Sequence, residues 1–284
     1  MSFDTDSTDE KRIMRIPITM CHGLHPPHLT AEHFKRLVSI AANMGFESVN
    51  YDQLAQWRAG RDKLPAKPIM FDFDHPEKTI GFEIKDILAN YGFKGNLFVN
   101  TGPMVPSFGD DPTNFKGVTT CLTWDEIGHL ADAGWTIGAH THTHPNLSEL
   151  FLEDPTGQKL LDELQTCDSL IEKNLGILPR DFAFTGTSWS SKAEELVKHR
   201  YRFGRLWITF YTDCRGSMYQ ADGKYIRYAE FVGVPGDDEP DGGPPAAARY
   251  ITAESDPYRL PSMEIMALIF SEEAFRKYLQ GALE

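Results

Sequence analysis

The sequence predicts an α/β barrel, a mainly parallel sheet closed on itself with helices outside it, and three observations carry that prediction. Apolar strand-like runs alternate with stretches of helical periodicity along most of the chain, the pattern of repeated strand–helix–strand units. Asp74 and His140, residues with acid–base or metal chemistry, fall at the carboxyl ends of two such runs, where barrel enzymes carry their sites. A single barrel also suits 284 residues of which 41% are hydrophobic, although that length would accommodate two small domains.

Taken in order, residues 1–12 read as a frayed, polar start, and Ile13 to Met20 as the first strand. Thr30 opens a helix with Phe34, Leu37, Val38 and Ala41 on one face and Gly45 at its end. A short helix around Leu54 and Trp57 stops at Gly60. The strand Ile69 to Phe73 follows, then a helix with Ile84, Ile87, Leu88 and Tyr91 inward and Gly92 as its stop. Gly95 to Asn100 is the next strand. Thr123-x-x-Glu126 is a capping box that starts a helix ended by Gly134. Trp135 to Ala139 is a strand, and a long helix runs from Gln158 to Leu175. The strand Asp181 to Phe184, the helix Lys192 to His199 and the strand Leu206 to Phe210 continue the alternation. Gly233 to Asp256, rich in Pro, Gly and Asp, reads as an exposed loop and a candidate mobile rim to the site.

Composition excludes several classes. A formal charge of −13 opposes binding to nucleic acid or anionic membranes, which needs clustered Lys and Arg. No apolar run is long enough for membrane insertion, and the polar first ten residues lack the order of a secretory signal, so a soluble cytoplasmic protein is expected. Cys21, Cys121, Cys167 and Cys214 are scattered without a Cys-x-x-Cys pair, which argues against a disulfide framework or a thiolate zinc site. No Gly-rich phosphate loop follows a strand, which disfavours a nucleotide enzyme. Nothing in the sequence sets the oligomeric state.

Two clusters carry chemistry. In His140-Thr-His-Thr-His144-Pro145, two imidazoles four residues apart follow an apolar strand and can close on one metal ion. Taken alone, a solvated histidine cluster explains the stretch equally well. The second cluster, Phe71-Asp72-Phe73-Asp74-His75-Pro76, tips the balance, because carboxylates at the end of a buried strand are costly unless paired or metal-bound.

These residues resemble the polysaccharide deacetylases of carbohydrate esterase family four, whose first motif is Thr-Phe-Asp-Asp-Gly and whose second is His-Ser/Thr-x-x-His. Ala139 to Leu147 matches the second motif at each fixed position. Leu64-Pro-Ala-Lys-Pro68, Tyr91 to Val99, Phe182-Ala-Phe184 and Asp256 to Pro261 extend the resemblance over roughly residues 16 to 280. Cys21-His22 echoes the Tyr-His element of the subgroup with an N-terminal extension. The resemblance implies a distorted (β/α)7 barrel in a single domain, residues 13–284, and one divalent metal ion, zinc, held by His140, His144 and a third ligand.

The departures leave alternatives open. A gapless register makes Asp74 the catalytic base and His75 the third ligand; a one-residue bulge makes Asp72 the base and Asp74 the ligand. The third motif becomes Thr185-Gly-Thr187, where Gly186 can still offer its N–H to an oxyanion. Arg205 resembles the arginine that steadies the base, with a surface arginine at a strand end as the competing reading. The late Leu-His motif that supplies a general acid has no counterpart in Ser262 to Glu284, and His22 is the candidate substitute. Trp124, Trp189, Trp207 and Tyr211 are candidate aromatic walls, with core packing the competing reading for Trp207. The function implied is removal of an N-acyl, chiefly acetyl, group from an amino sugar or glycan precursor, with a small-molecule or oligosaccharide substrate. A cytoplasmic chain would favour a nucleotide-linked or lipid-linked precursor. A metal-dependent amidohydrolase on a cyclic imide or other small amide, and a non-catalytic glycan-binding member, are the alternatives.

Overall fold

The computed structural model describes residues 13–102, 121–209 and 217–284. The expectations for residues 1–12, for Tyr211 and for Cys214 fall outside them.

In chain order the strands begin with β1 (Ile16–Cys21), β2 (Glu47–Ser48), β3 (Pro68–Asp74) and β4 (Asn96–Val99). β5 (Thr136–Ala139), β6 (Asp181–Ala183), β7 (Ser188–Trp189) and β8 (Phe203–Ile208) follow. The last four are β9 (Met218–Ala221), β10 (Lys224–Arg227), β11 (Tyr250–Ile251) and β12 (Leu260–Glu264). Seven of them, β1, β3, β4, β5, β6, β8 and β12, are parallel neighbours in that order, and β12 pairs back onto β1. The sheet is therefore a closed seven-stranded barrel with helices around it, a distorted (β/α)7 barrel. No helix among the described residues is long and apolar enough to cross a membrane.

Strand periodicity sorts the core into two layers. Along β3, Ile69, Phe71 and Phe73 pack outward under the helices, while Met70 joins Ile16, Ile18, Phe98, Ala183, Phe203 and Leu260 in a separate inner cluster. Asp72 and Asp74 continue the inward face of Met70 towards the carboxyl end. The helix Tyr51–Arg58 carries Tyr51 and Leu54 into the inner cluster and closes the amino-terminal end of the barrel. Gly138 in β5 is required by close approach, since a Cβ there would stand 2.5 Å from the Phe98 ring.

Helix ends follow the local chemistry. Thr30 caps the helix Ala31–Asn43, and Thr123 and Glu126 form the expected capping box on Trp124–Asp132. The segment read as one helix before Gly92 is a π-turn, Ile80–Ile84, running into Lys85–Ala89.

Three features depart from expectation. The strand placed at Leu206 to Phe210 starts earlier, at Phe203, because Gly204 lets β8 pass against the Tyr258 backbone. The segment Gly233 to Asp256 is not a rim: Gly243 to Pro245 and Ala248 to Ile251 are buried, and β11 pairs with Ile16 and Pro17 at the amino-terminal end of β1, opposite the site. Finally, β12 closes the barrel with a proline at Pro261 and no alternating pattern, which hides it from a periodicity reading.

Candidate functional site

At the carboxyl end of the barrel three imidazoles converge. The ligating nitrogens of His75, His140 and His144 lie within 4.8 Å of one another, with ring centroids 4.8 to 5.2 Å apart. Each is placed by a different local device. His140 follows the last residue of β5, its N–H bonded to Val99 O and its Nδ1 2.8 Å from Ala183 O. His75 follows β3 with φ 66° and sets its Nδ1 2.8 Å from Asn100 Oδ1 at the end of β4. His144 has φ 59° and donates its N–H to Thr141 Oγ1, while Thr141 itself has φ 63°. Three of the four described non-glycine residues in the left-handed region therefore lie in the site, where such strain is typically held by surrounding structure. Glu163, from the helix Gln158–Leu175, supplies part of that hold by accepting from the His142 and Thr143 amides and the Thr143 hydroxyl.

The donor set fits a metal ion. His140 is 1% exposed, yet its Nε2 has no hydrogen-bond partner and faces the other two rings, a costly arrangement for an isolated imidazole. With Nδ1 of His140 and of His75 engaged by an oxygen, the second nitrogen of each is left as an electron-pair donor, the usual outer-sphere arrangement of metal-binding histidines. Burial pushes His140 well below its ordinary value and His144 down to about 4, the latter aided by His75, so both are neutral at pH 7, the form that ligates.

Asp74 stands beside the three imidazoles, its Oδ2 3.9 Å from His140 Nε2. Its Oδ1 accepts from Arg205 Nη2, and Arg205 is fully buried rather than at the surface. Burial alone would raise the Asp74 carboxyl; the Arg205 guanidinium, with His140 and His22, outweighs it and holds Asp74 below the usual carboxylate range. Asp72 sits one pleat deeper. It accepts from Tyr51 Oη at 2.6 Å and Asn96 Nδ2 at 2.9 Å and lies 3.5 Å from Arg205 Nε. Burial pushes it up to about 7 despite those partners. The β3–β4 ladder runs unbroken through Asp72, Phe73 and Asp74, so the strand contains no bulge that would bring Asp72 to the imidazoles.

On another side, His22 stacks on His75 at 5.2 Å and meets Trp207 edge-on at 5.1 Å. Glu264, the last residue of β12, lies 3.8 Å from His22 Nδ1 and accepts from Trp207 Nε1 at 2.6 Å. Burial, opposed by the Met266 amide and the Trp207 indole N–H, leaves Glu264 raised to about 7, whereas burial lowers His22 to about 4. Gly186 has φ 57° and shares a cavity with His144.

Of the aromatic residues considered as walls, Trp207 borders the site through His22. Trp189 is buried against Phe231 under Arg259, and Trp124 packs on the core. Sequence reasoning missed Asn100, Glu163, Glu264 and the Tyr51–Asn96 pair on Asp72. A polar residue ending a barrel strand was a usable signal for Asn100; Glu163 sits on an ordinary polar helix face and offered none.

Comparison with known proteins agrees with this fold. A family model described as polysaccharide deacetylase matches residues 61–204, half of the chain. No curated protein matches. Among solved structures, the chain is similar to the deacetylase PplD of Streptococcus pyogenes, in complex with acetate, with 15% identity, a TM-score of 0.65, and 94% of this chain and 99% of that one covered. IcaB of Ammonifex degensii gives 14% identity and a TM-score of 0.66 over 94% and 97% of the two chains. The BpsB deacetylase domain of Bordetella bronchiseptica gives 14% and 0.63 over 88% and 96%.

Proposed function

The chain belongs to the polysaccharide deacetylase family, and from that premise we propose that it is a zinc-dependent hydrolase that removes the acetyl group from an N-acetylated amino sugar. The observation that carries the reading is the cluster of His75, His140 and His144, with an ionised Asp74 beside it. Three imidazoles with an open fourth position suit catalytic zinc, and would hold it here. Such an ion supplies Lewis acidity towards an acyl oxygen and lowers the pKa of water.

The chain's own residues account for the remaining parts. Asp74, kept ionised and oriented by Arg205, accepts the proton of the attacking water. The Gly186 N–H, turned by a left-handed backbone, is the candidate donor to the oxyanion. Glu264, raised to about 7, holds a proton beside His22 for return to the departing amine, so that two carboxylates in one barrel serve as base and as acid. The acetate bound in PplD agrees with an acetyl group as the one removed.

The test is acetate release from N-acetylglucosamine in free, nucleotide-linked and oligomeric form, before and after chelation and with zinc or cobalt restored. The reading predicts release that chelation abolishes and metal restores. Hydrolysis of a cyclic imide with no acetate from any sugar would assign the chain to small amides. Full metal content with no turnover at all would make it a binding protein.

A further inference from the structure

Inside the barrel, below the imidazoles, four buried polar side chains stand in a file that ends at the base: Tyr51, Asp72, Arg205 and Asp74. We propose that Asp72 is a positioning residue for the reaction: anchored by Tyr51 and Asn96, it fixes the plane of the Arg205 guanidinium and, through it, the Asp74 carboxylate. The proposal rests on the deacetylase reading, with Asp74 as base, and adds to it residues that touch neither substrate nor metal. The gapless register sets Asp72 where the family's first motif has Thr, so this carboxylate is a feature of the chain rather than of the motif.

The argument starts at Arg205. A guanidinium carries five N–H donors in one rigid plane. In the fully buried Arg205, Nη2 donates to Asp74 Oδ1, while Nε and Nη1 have no hydrogen-bond partner among the described residues. One hydrogen bond sets a distance but leaves the plane free to turn about it. The second point of contact is Asp72, whose Oδ2 lies 3.5 Å from Nε, beyond a normal hydrogen bond but close for opposite charges away from water. Burial pushes Asp72 up to about 7, and of the groups that oppose the rise Arg205 leads, ahead of Tyr51 and Asn96. The Phe98 ring, its centroid 5.0 Å from Arg205 Cζ, bounds the guanidinium on a further side.

Asp72 can hold another side chain only if it is held itself. Each of its oxygens has one donor: Tyr51 Oη reaches Oδ2 at 2.6 Å and Asn96 Nδ2 reaches Oδ1 at 2.9 Å. Asn96 is its partner in the β3–β4 ladder. Tyr51 is the first residue of the helix Tyr51–Arg58, whose start is locked by the Asn50–Gln53 capping box, and its ring meets Phe98 edge-on at 5.3 Å. The oxygen that accepts from Tyr51 is the one that faces Arg205, so a residue at the amino-terminal end of the barrel bears on the base at the other end through one atom. A buried carboxylate is costly, and a base must meet its proton within a narrow range of geometry; orientation of Asp74 accounts for the presence of Asp72.

The experiment is a double-mutant cycle on zinc-loaded protein, with acetate release expressed per bound zinc. Asp72→Asn keeps the shape and one acceptor oxygen but removes the charge that faces Arg205, and Asn96 can turn its unpartnered Oδ1 towards the amide so introduced. It should lower kcat about tenfold, and Tyr51→Phe about threefold, each with KM within about twofold of wild type and full zinc content. In an Arg205→Lys background Asp72→Asn should lower kcat by less than about twofold, because its effect travels through the guanidinium. An unchanged kcat in Asp72→Asn, or equal losses in the two backgrounds, would overturn the proposal. Crystal structures of zinc-loaded wild type and Asp72→Asn need neither turnover nor the Arg205→Lys protein: the guanidinium should turn, and Asp74 Oδ2 should leave its place beside His140 Nε2. Superposable Arg205 and Asp74 side chains would equally overturn it. If zinc-loaded wild type releases no acetate from any sugar, the deacetylase reading fails; a displaced Asp74 in the variant would still uphold the hold of Asp72 on that carboxylate.

Discussion

Asp72 and Asp74 differ by one pleat of the same strand, yet their surroundings drive them in opposite directions. Arg205 contacts Asp74 directly and lies 3.5 Å from Asp72 through Nε, while Tyr51 and Asn96 take up the deeper carboxylate. Asp74→Asn is therefore expected to keep the metal and lower kcat by about 10²- to 10⁴-fold, the range of a lost general base. His75→Ala should instead deplete the metal. Loss of metal in Asp74→Asn with full retention in His75→Ala would return the base to Asp72. Arg205→Leu leaves the buried Asp74 carboxylate without its cation, while Asp72 keeps Tyr51 and Asn96, and should destabilise the protein by about 3–5 kcal/mol, measured by urea unfolding. Both motif clusters were legible in the sequence because residue types and spacing suffice to mark them. The choice between Asp72 and Asp74 was not legible, since it depends on an unbroken ladder and on a Tyr51 contact from 21 residues away.

Loops and strand ends hold the site at the next scale. Asn100 fixes the His75 ring, and Glu163 ties down the turn between His140 and His144 with three hydrogen bonds. Asn100→Ala should weaken metal affinity about 10- to 100-fold while leaving the fold intact, read by competition with a chelating dye. An unchanged affinity would mean that Asn100 has no part in orienting the imidazole. The elements that periodicity and caps identify, such as the helices Ala31–Asn43 and Gln158–Leu175, were readable with nearly correct ends. β12 was not, because Pro261 and Ser262 interrupt any strand pattern and only its pairing with β1 and β8 makes it a strand. Glu264 was lost with it. The segment around β11 was misread as a rim because its Gly and Pro content resembles an exposed loop, whereas Gly243 to Pro245 and Ala248 to Ile251 are buried and β11 pairs at the amino-terminal end of β1.

Across the whole molecule, barrel closure brings residues from β1, β3, β5, β8 and β12 to one end, and the burial that results sets their protonation. Glu264, at 4.5 in its ordinary state and about 7 when folded, binds its proton more tightly in the folded chain. The stability it contributes is present below about pH 4.5 and is lost as pH rises through about 7. His22 and His144 act in the opposite sense, since values lowered to about 4 give stability present above about 6.5 and lost as pH falls towards 4. In metal-free protein, Glu264→Gln should flatten the fall in urea midpoint between pH 5 and 8 relative to wild type. Parallel profiles for the two proteins would show that Glu264 does not titrate in this range.

The central claim is that His75, His140 and His144 hold one ion. Elemental analysis of purified wild type and His144→Ala, each dialysed against the same zinc buffer, addresses it most directly. One zinc per wild-type chain and a sharply depleted variant with unchanged circular dichroism is the predicted result. Equal metal content in the two proteins, or none in a folded wild type, would contradict it.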